Sequence, residues 1–214
     1  MAKTIPGNEQ VFMVSKSTNT TYSGSAALKA MSEWYTMDDV SNTVKPYKVF
    51  TALLRQQGDS SEGEVDGDGG TIVKGITYYI NVNPDNFDLT IYGAPNNNAG
   101  TYFIANQTIS LPYNYTLQLY YNEGAPVATV LENTIGNLWF TYNGTGNYTL
   151  NSDGVFTNST WTNISLNIQG FGDNINFSIY KYSPNYIGIV SGIPGDSQYN
   201  DYLDQTCIEV RVYN

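Results

Sequence analysis

The sequence predicts an all-β protein, an antiparallel β-sandwich with a short helical segment near its N-terminus. Three observations lead there. Charged residues make up only 13% of the 214-residue chain, so its polarity comes from Asn, Thr, Ser, Gly and Tyr. Nineteen tyrosines, many beside β-branched residues, favour the pleated, half-buried surface of a strand. Short apolar runs recur between turn residues with no strand–helix alternation, which fits a sandwich and not a parallel α/β sheet. At 41% hydrophobic, the chain has enough apolar material for one large β-domain or for one domain plus a smaller module.

The first element is a strand at Val11-Phe12-Met13-Val14, followed by a polar stretch to Thr21. Residues 25–35 are the best helix candidate, with Ala27, Leu28, Met31, Trp34 and Tyr35 at helical spacing. Residues 36–44 read as a second short helix, capped by Thr36 with Asp39 completing a capping box. From Pro46 the character changes. Tyr47–Leu54 is a strand, and the Gly/Asp/Glu-rich stretch 58–70 reads as an exposed loop. Strands are expected at Thr71–Val73 and Ile76–Val82 with Gly75 as a turn or bulge, then at Phe87–Tyr92 and Thr101–Ala105. Asn83–Asn86 is a turn and Pro95–Gly100 a loop.

Further strands are expected at Tyr115–Tyr121, Ala128–Leu131, Leu138–Tyr142, Gly146–Leu150, Ser165–Ile168, Asn176–Tyr180, Tyr186–Val190 and Ile208–Tyr213. Turn pairs such as Asn143-Gly144, Asp153-Gly154 and Gly195-Asp196 punctuate them. The single cysteine, Cys207, sits in an alternating run. It reads either as a small buried hydrophobe or as an interchain bridge.

Composition excludes several kinds of chemistry. The chain has no histidine and one cysteine, so it holds no Ser-His-Asp or Cys-His arrangement, no Cys/His zinc site and no internal disulfide. It has neither a phosphate-binding loop nor a dinucleotide fingerprint, and no cofactor is implied. A net charge of −10 argues against nucleic acid as a partner. No apolar run reaches the roughly 18 residues of a membrane span, and no signal peptide is visible, so synthesis in a cytosol without a lipid anchor is expected.

Two sets of candidate binding residues remain. Trp139, Tyr142, Tyr148 and Trp161 are either core or interface aromatics or rings that stack on sugars. Glu62, Glu64, Asp66 and Asp68, spaced by Gly and Val, either wrap a calcium ion or form a solvated linker. Eight Asn-X-Ser/Thr triplets (Asn19, Asn106, Asn114, Asn143, Asn147, Asn158, Asn163 and Asn176) are read as chance in an Asn/Thr-rich chain and not as glycosylation sites.

One resemblance adds to this. Residues 47–58, 125–136, Gly146-Asn147-Tyr148-Thr149-Leu150, Gly154-Val155-Phe156 and Ile208–Tyr213 resemble one β-domain of structural proteins of phages that infect Bacteroidetes, including crAss-like phages. Lys74–Ile80, Asp85-Asn86-Phe87, Gly93–Gly100 and Thr101–Ala105 are similar to a small β-module of phage and prophage surface proteins. That module departs from its pattern where Asn106-Gln107-Thr108 leads into Leu111-Pro112-Tyr113, in place of a Gly-Thr-Thr-Pro…Trp-like ending.

The resemblance covers about two-thirds of the chain and implies a jelly-roll-like sandwich head of residues 46–58 plus 122–214, interrupted by an inserted β-module at 59–121. Residues 1–45 are then an attachment and oligomerisation segment that binds other virion proteins. The implied function is a non-enzymatic fibre, spike or decoration protein on the virion surface. It would contribute to host attachment, assemble as a homo-oligomer with a trimer favoured, and take a bacterial surface glycan as its external partner. The alternative is a glycan-degrading depolymerase of the virion that uses two carboxylates.

Overall fold

The computed structural model describes residues 12–14, 21–23, 46–56, 58, 61–165, 176–192 and 203–213. The chain divides into two compact units, Met1–Lys45 and Pro46–Asn214. In the first, β1 (Phe12–Val14) pairs antiparallel with β2 (Thr21–Ser23), with Met13 opposite Tyr22. The apolar run is therefore a strand, and the polar stretch behind it ends in its partner. The helices expected at 25–35 and 36–44 lie outside the described residues.

The second unit continues with β3 (Tyr47–Arg55), β4 (Glu62–Asp66), β5 (Thr71–Ile72), β6 (Thr77–Val82), β7 (Tyr102–Ile104), β8 (Ile109–Ser110) and β9 (Gln118–Asn122). Then come β10 (Val127–Asn133), β11 (Leu138–Gly144), β12 (Asn147–Ser152), β13 (Thr160–Ser165), β14 (Asn176–Lys181), β15 (Tyr186–Gly192) and β16 (Thr206–Tyr213). Of the strand expected at 165–168, Ser165 ends β13, and the rest lies outside the described residues.

Two four-stranded antiparallel sheets, ordered β10-β3-β16-β13 and β11-β12-β15-β14, enclose one apolar core. The reason is period-two alternation, which sends every second side chain to the same face. Phe50, Ala52 and Leu54 of β3 and Ile208, Val210 and Val212 of β16 point inward from one sheet. Phe140, Tyr148, Leu150, Ile187 and Ile189 meet them from the other. Tyr148 keeps its hydroxyl in this core by donating to Gln56 Oε1 at 3.1 Å.

The first and last strands of the sandwich, β3 and β16, lie side by side at the centre of their sheet. The hairpins β11–β12 and β14–β15 pair locally instead, because short turns close them before a distant strand can intervene.

The alternation also relocates Cys207. On β16 it falls between buried Thr206 and Ile208 and lies half-buried on the opposite face, in step with Glu209 and Arg211. A strand offers the core only every second position, and the isoleucine and valines hold it, so the expected core place of Cys207 is corrected.

Between β3 and β10 the chain builds a second structure with its own core. The sheet β4-β9-β6-β7 and the pair β5-β8 enclose Val65, Ile72, Tyr78, Ile80, Leu89, Phe103, Leu117 and Leu119. Arg55, where the chain leaves the sandwich, lies directly opposite Val127, where it returns. Two expectations are corrected here. The stretch 58–70 is not one exposed loop: it contains β4, which buries Val65 against the module core. Phe87–Tyr92 is not a strand but a loop ending in a 3-10 turn at Thr90–Tyr92. Asn83 Oδ1 accepts the Phe87 N–H at 2.8 Å, Asn97 Oδ1 the Leu89 N–H at 2.8 Å and Asp88 Oδ1 the Thr90 N–H at 3.0 Å. Those side chains occupy amides that a strand ladder would need.

Tyr78 is the largest fully buried side chain in this second core, packed at 5.9 Å from the Phe103 ring and 5.7 Å from the Tyr121 ring. Its hydroxyl oxygen accepts the Val73 N–H at 2.9 Å. Burial pushes the hydroxyl pKa up to about 12, with the Val73 hydrogen bond opposing and Tyr121 adding to the rise.

Two outcomes follow from this packing. Ile189→Ala should cost about 2–5 kcal/mol in urea unfolding, whereas Leu131→Ala, at a position 58% exposed, should stay within about 0.5 kcal/mol. The unfolded chain releases the Tyr78 proton near the ordinary value of about 10, and the folded chain holds it to about 12. In that window the unfolded state binds fewer protons, so this contribution is full below pH 10 and is lost as pH rises toward 12. The stability of Tyr78→Phe should therefore fall less steeply than wild type above about pH 10, and parallel pH profiles would remove Tyr78 as a cause.

Candidate functional site

The site arises where the inserted structure meets the sandwich. At Gly75 the chain turns with φ of +87°, a conformation that side-chain-bearing residues rarely adopt. Its N–H donates to the Ala105 carbonyl at 2.7 Å, and its carbonyl accepts the Ala128 N–H of β10 at 2.9 Å. A Cβ here would stand 2.7 Å from the Ala128 oxygen. Further along, the Phe140 N–H on edge strand β11 donates to Thr77 Oγ1 at 3.1 Å, and Asn137 Nδ2 donates to the Tyr102 carbonyl at 3.1 Å. The module thus satisfies an edge amide that would otherwise need water or another strand.

Strand alternation divides Thr77-Tyr78-Tyr79-Ile80 between two faces. Tyr78 and Ile80 enter the module core, while Thr77 and Tyr79 face the seam. Register then aligns Glu64 of β4, Tyr120 of β9, Tyr79 of β6 and Tyr102 of β7 in one row across all four strands. The row continues onto the sandwich. Tyr79 and Tyr102 have ring centroids 4.8 Å apart, and Tyr102 stacks on Trp139 of β11 at 5.5 Å with planes 10° apart. Tyr102 and Tyr120 keep 36% and 37% of their surface exposed.

Beside this row opens a cleft of about 250 Å³. Thr77, Tyr79, Tyr102, Tyr120 and Tyr121 line it from the module and Phe140, Thr141 and Tyr142 from the sandwich, with Glu62, Asn122 and Ala125 completing the lining. Tyr121 reaches the cleft because its ring lies across Gly63, directly opposite in register, where a Cβ would meet the ring at 2.1 Å. A polar chain braces the other end. Asn81 Nδ2 donates to Gln118 Oε1 and, at 3.3 Å, to Tyr120 Oη, while Gln118 Nε2 donates to the Glu64 carboxylate. Burial, and then the neighbouring Tyr79, raises the Tyr102 hydroxyl above the ordinary tyrosine value, so it stays a neutral donor.

The sequence candidates separate on this geometry. Tyr142 lines the cleft, and Trp139 carries the stack on Tyr102. Tyr148 adjoins Tyr142 with centroids 5.9 Å apart but is fully buried, so its ring offers no face to a ligand. Trp161 is 44% exposed on β13 of the other sheet, where the Arg211 guanidinium lies 5.0 Å from its ring and 4.8 Å from that of Tyr47. One face of Trp161 is therefore taken by a cation that also pairs with Glu209 at 2.6 Å.

The four carboxylates do not form the calcium-wrapping loop. Glu62, Glu64 and Asp66 are spread along one face of β4, where alternate residues sit roughly 6.4–6.8 Å apart. Calcium draws its oxygens to about 2.3–2.6 Å. Asp68 lies beyond the strand, its carboxylate accepting the Asn114 N–H at 3.4 Å. Among the described residues, no group of three or more His, Cys, Asp and Glu side chains gathers around a common point.

Sequence reasoning missed Tyr79, Tyr102, Tyr120 and Tyr121. Tyr79, Tyr120 and Tyr121 carry one sequence signal, the doublets Tyr78-Tyr79 and Tyr120-Tyr121, in which one ring of each pair must face away from the core, and Tyr102 carries none. No protein-family model, curated protein or solved structure matches the chain.

The seam predicts its own weak point. Gly75→Ala combines a disfavoured φ with a clash against backbone, so it should cost about 1–3 kcal/mol. The loss should appear as faster hydrogen exchange at the Ala128 and Phe140 amides, with the amides of β15 unchanged. Exchange accelerated equally in β15 would mean that the seam is not a separable contact.

Proposed function

We propose that the chain is a structural protein of a phage virion exterior, of the fibre, spike or decoration type, and that it serves host-surface attachment without catalysing a reaction. The observation that carries this reading is the tyrosine row. It is a half-exposed band of rings held in fixed register on a module pinned to a sandwich. Such a surface is built to bind, since rigid rings lose little conformational entropy on contact. Among the described residues, the carboxylates at hand are Glu62 in the cleft lining and Glu64 at the end of the row.

Residues 1–45 anchor the protein to other virion proteins and support a homotrimer. Their separation as a compact unit, with the β1–β2 pair inside it, supports that division of labour. The sandwich head has a jelly-roll-like winding, supported by the central β3–β16 pair, and projects outward with the module as an insertion.

Purified particles decide the matter. The chain should co-purify with virions through a density gradient, and gold-labelled antibody against residues 46–214 should decorate intact particles. Deleting residues 1–45 should leave a folded protein that no longer joins particles. A chain found only in lysate and never on particles would sink the proposal. Release of reducing sugar from host polysaccharide would replace it with a depolymerase.

A further inference from the structure

We infer that the row Tyr120–Tyr79–Tyr102 and its adjoining cleft form a binding site for an uncharged saccharide. The inference deepens the attachment reading by naming the ligand class, and it can fail while that reading stands.

Neighbouring strands lie about 4.7–4.9 Å apart, and the Tyr79 and Tyr102 rings on adjacent strands keep that spacing, at 4.8 Å, close to the length of one pyranose residue. The rings are held in place beforehand. Tyr102, stacked on Trp139 at 5.5 Å with Tyr79 at 4.8 Å, is a fixed wall that offers its edge and hydroxyl, while Tyr79 and Tyr120, the latter hydrogen-bonded through Asn81, offer ring surface to a sugar. Aromatic faces match the C–H faces of sugar rings.

The polar groups suit the same ligand. A saccharide presents hydroxyls that both donate and accept, and the cleft supplies both functions. Tyrosine hydroxyls and Asn122 Nδ2 donate, while the Glu62 carboxylate accepts; Asn122 Oδ1 already takes the Gly124 N–H at 2.9 Å. At about 250 Å³ the cleft falls just under the roughly 300–1,000 Å³ of drug-sized sites. It therefore fits one sugar ring, with the neighbouring units of a chain lying along the row.

Charge selects within the class. Among the described residues, the one charged side chain lining the cleft is Glu62, Glu64 stands at the end of the row, and the whole chain carries −10. Anionic ligands such as uronate or sialate polymers and nucleic acids meet repulsion, with no compensating cation among the described lining residues. Neutral hexoses and N-acetylhexosamines meet none.

The test uses the full chain in calorimetry and saturation-transfer NMR. The probes are neutral oligosaccharides (glucan, mannan, galactan and chitin fragments) beside oligogalacturonate and hyaluronate fragments. At least one neutral series should bind, and the acidic fragments should not. Tyr79→Ala and Tyr120→Ala should each weaken binding by about tenfold or more, and Tyr120→Phe by less than Tyr120→Ala, because stacking survives. Tyr120→Ala should melt with the wild type, since its ring lies on the exposed face. Glu62→Gln should narrow the discrimination against acidic fragments.

No binding by any neutral fragment at millimolar concentration would overturn the inference. Undiminished binding by the alanine variants, or acidic fragments bound as well as neutral ones, would do the same. A chain that decorates particles yet binds no saccharide would lose this inference alone. One that binds saccharide but never joins particles would lose only the attachment reading.

Discussion

The second unit depends on the central position of β3. Its two edges are taken by strands from later parts of the chain, β10 on one side and β16 on the other, with an unbroken register from Tyr47 opposite Tyr213 to Leu54 opposite Thr206. That pairing joins the beginning and end of the sandwich. It also sets where an excursion can occur. Arg55 and Val127 face one another, so everything between them can grow outward without parting the strands that flank it. Loop-closure entropy rises only slowly with loop length, which makes a folded insertion at such a point thermodynamically tolerable.

The insertion creates the site by what it does at its seam. A module with its own core could hang loosely from two chain connections. This one is fixed through Gly75 on β10 and through Thr77 and Tyr102 on the β11 side. The same strand, β6, supplies the core on one face and the ring row on the other. Binding surface and stability are thus coupled by the pleat, because a slip of one residue would bury Tyr79 and expose Tyr78 and Ile80. The stack of Tyr102 on Trp139 extends the row across the joint, so the surface belongs to neither part alone.

Much of the fold is legible in the order of the residues. The strands at Tyr47–Leu54, Leu138–Tyr142, Tyr186–Val190 and Ile208–Tyr213 announce themselves by alternation, and the structure places them with ends shifted by a residue or two. Alternation fails where composition misleads. Glu62-Gly63-Glu64-Val65-Asp66 has one apolar residue and reads as a loop, yet Val65 alone anchors it, and β9 supplies the backbone partners. Phe87–Tyr92 reads as a strand, yet the side chains of Asn83, Asp88 and Asn97 take its amides. Of the candidate aromatics, Trp139 and Tyr142 reach the seam, while Tyr148 and Trp161 go to the core and to the other sheet.

The sequence by itself determined that this is a chain of antiparallel strands, because period-two alternation is a local property of side chains along a backbone. It determined as well that chemistry needing a histidine or a pair of cysteines is absent, since that follows from composition. Tertiary structure alone decided which tyrosines share a face. Glu64, Tyr120, Tyr79 and Tyr102 are far apart in the chain and become neighbours only through strand order and register. Register is fixed by the burial of the opposite face, by Val65, Leu119, Ile80 and Phe103 finding one another in the module core. That is a collective choice of the whole sheet, which no single strand carries in its own residues.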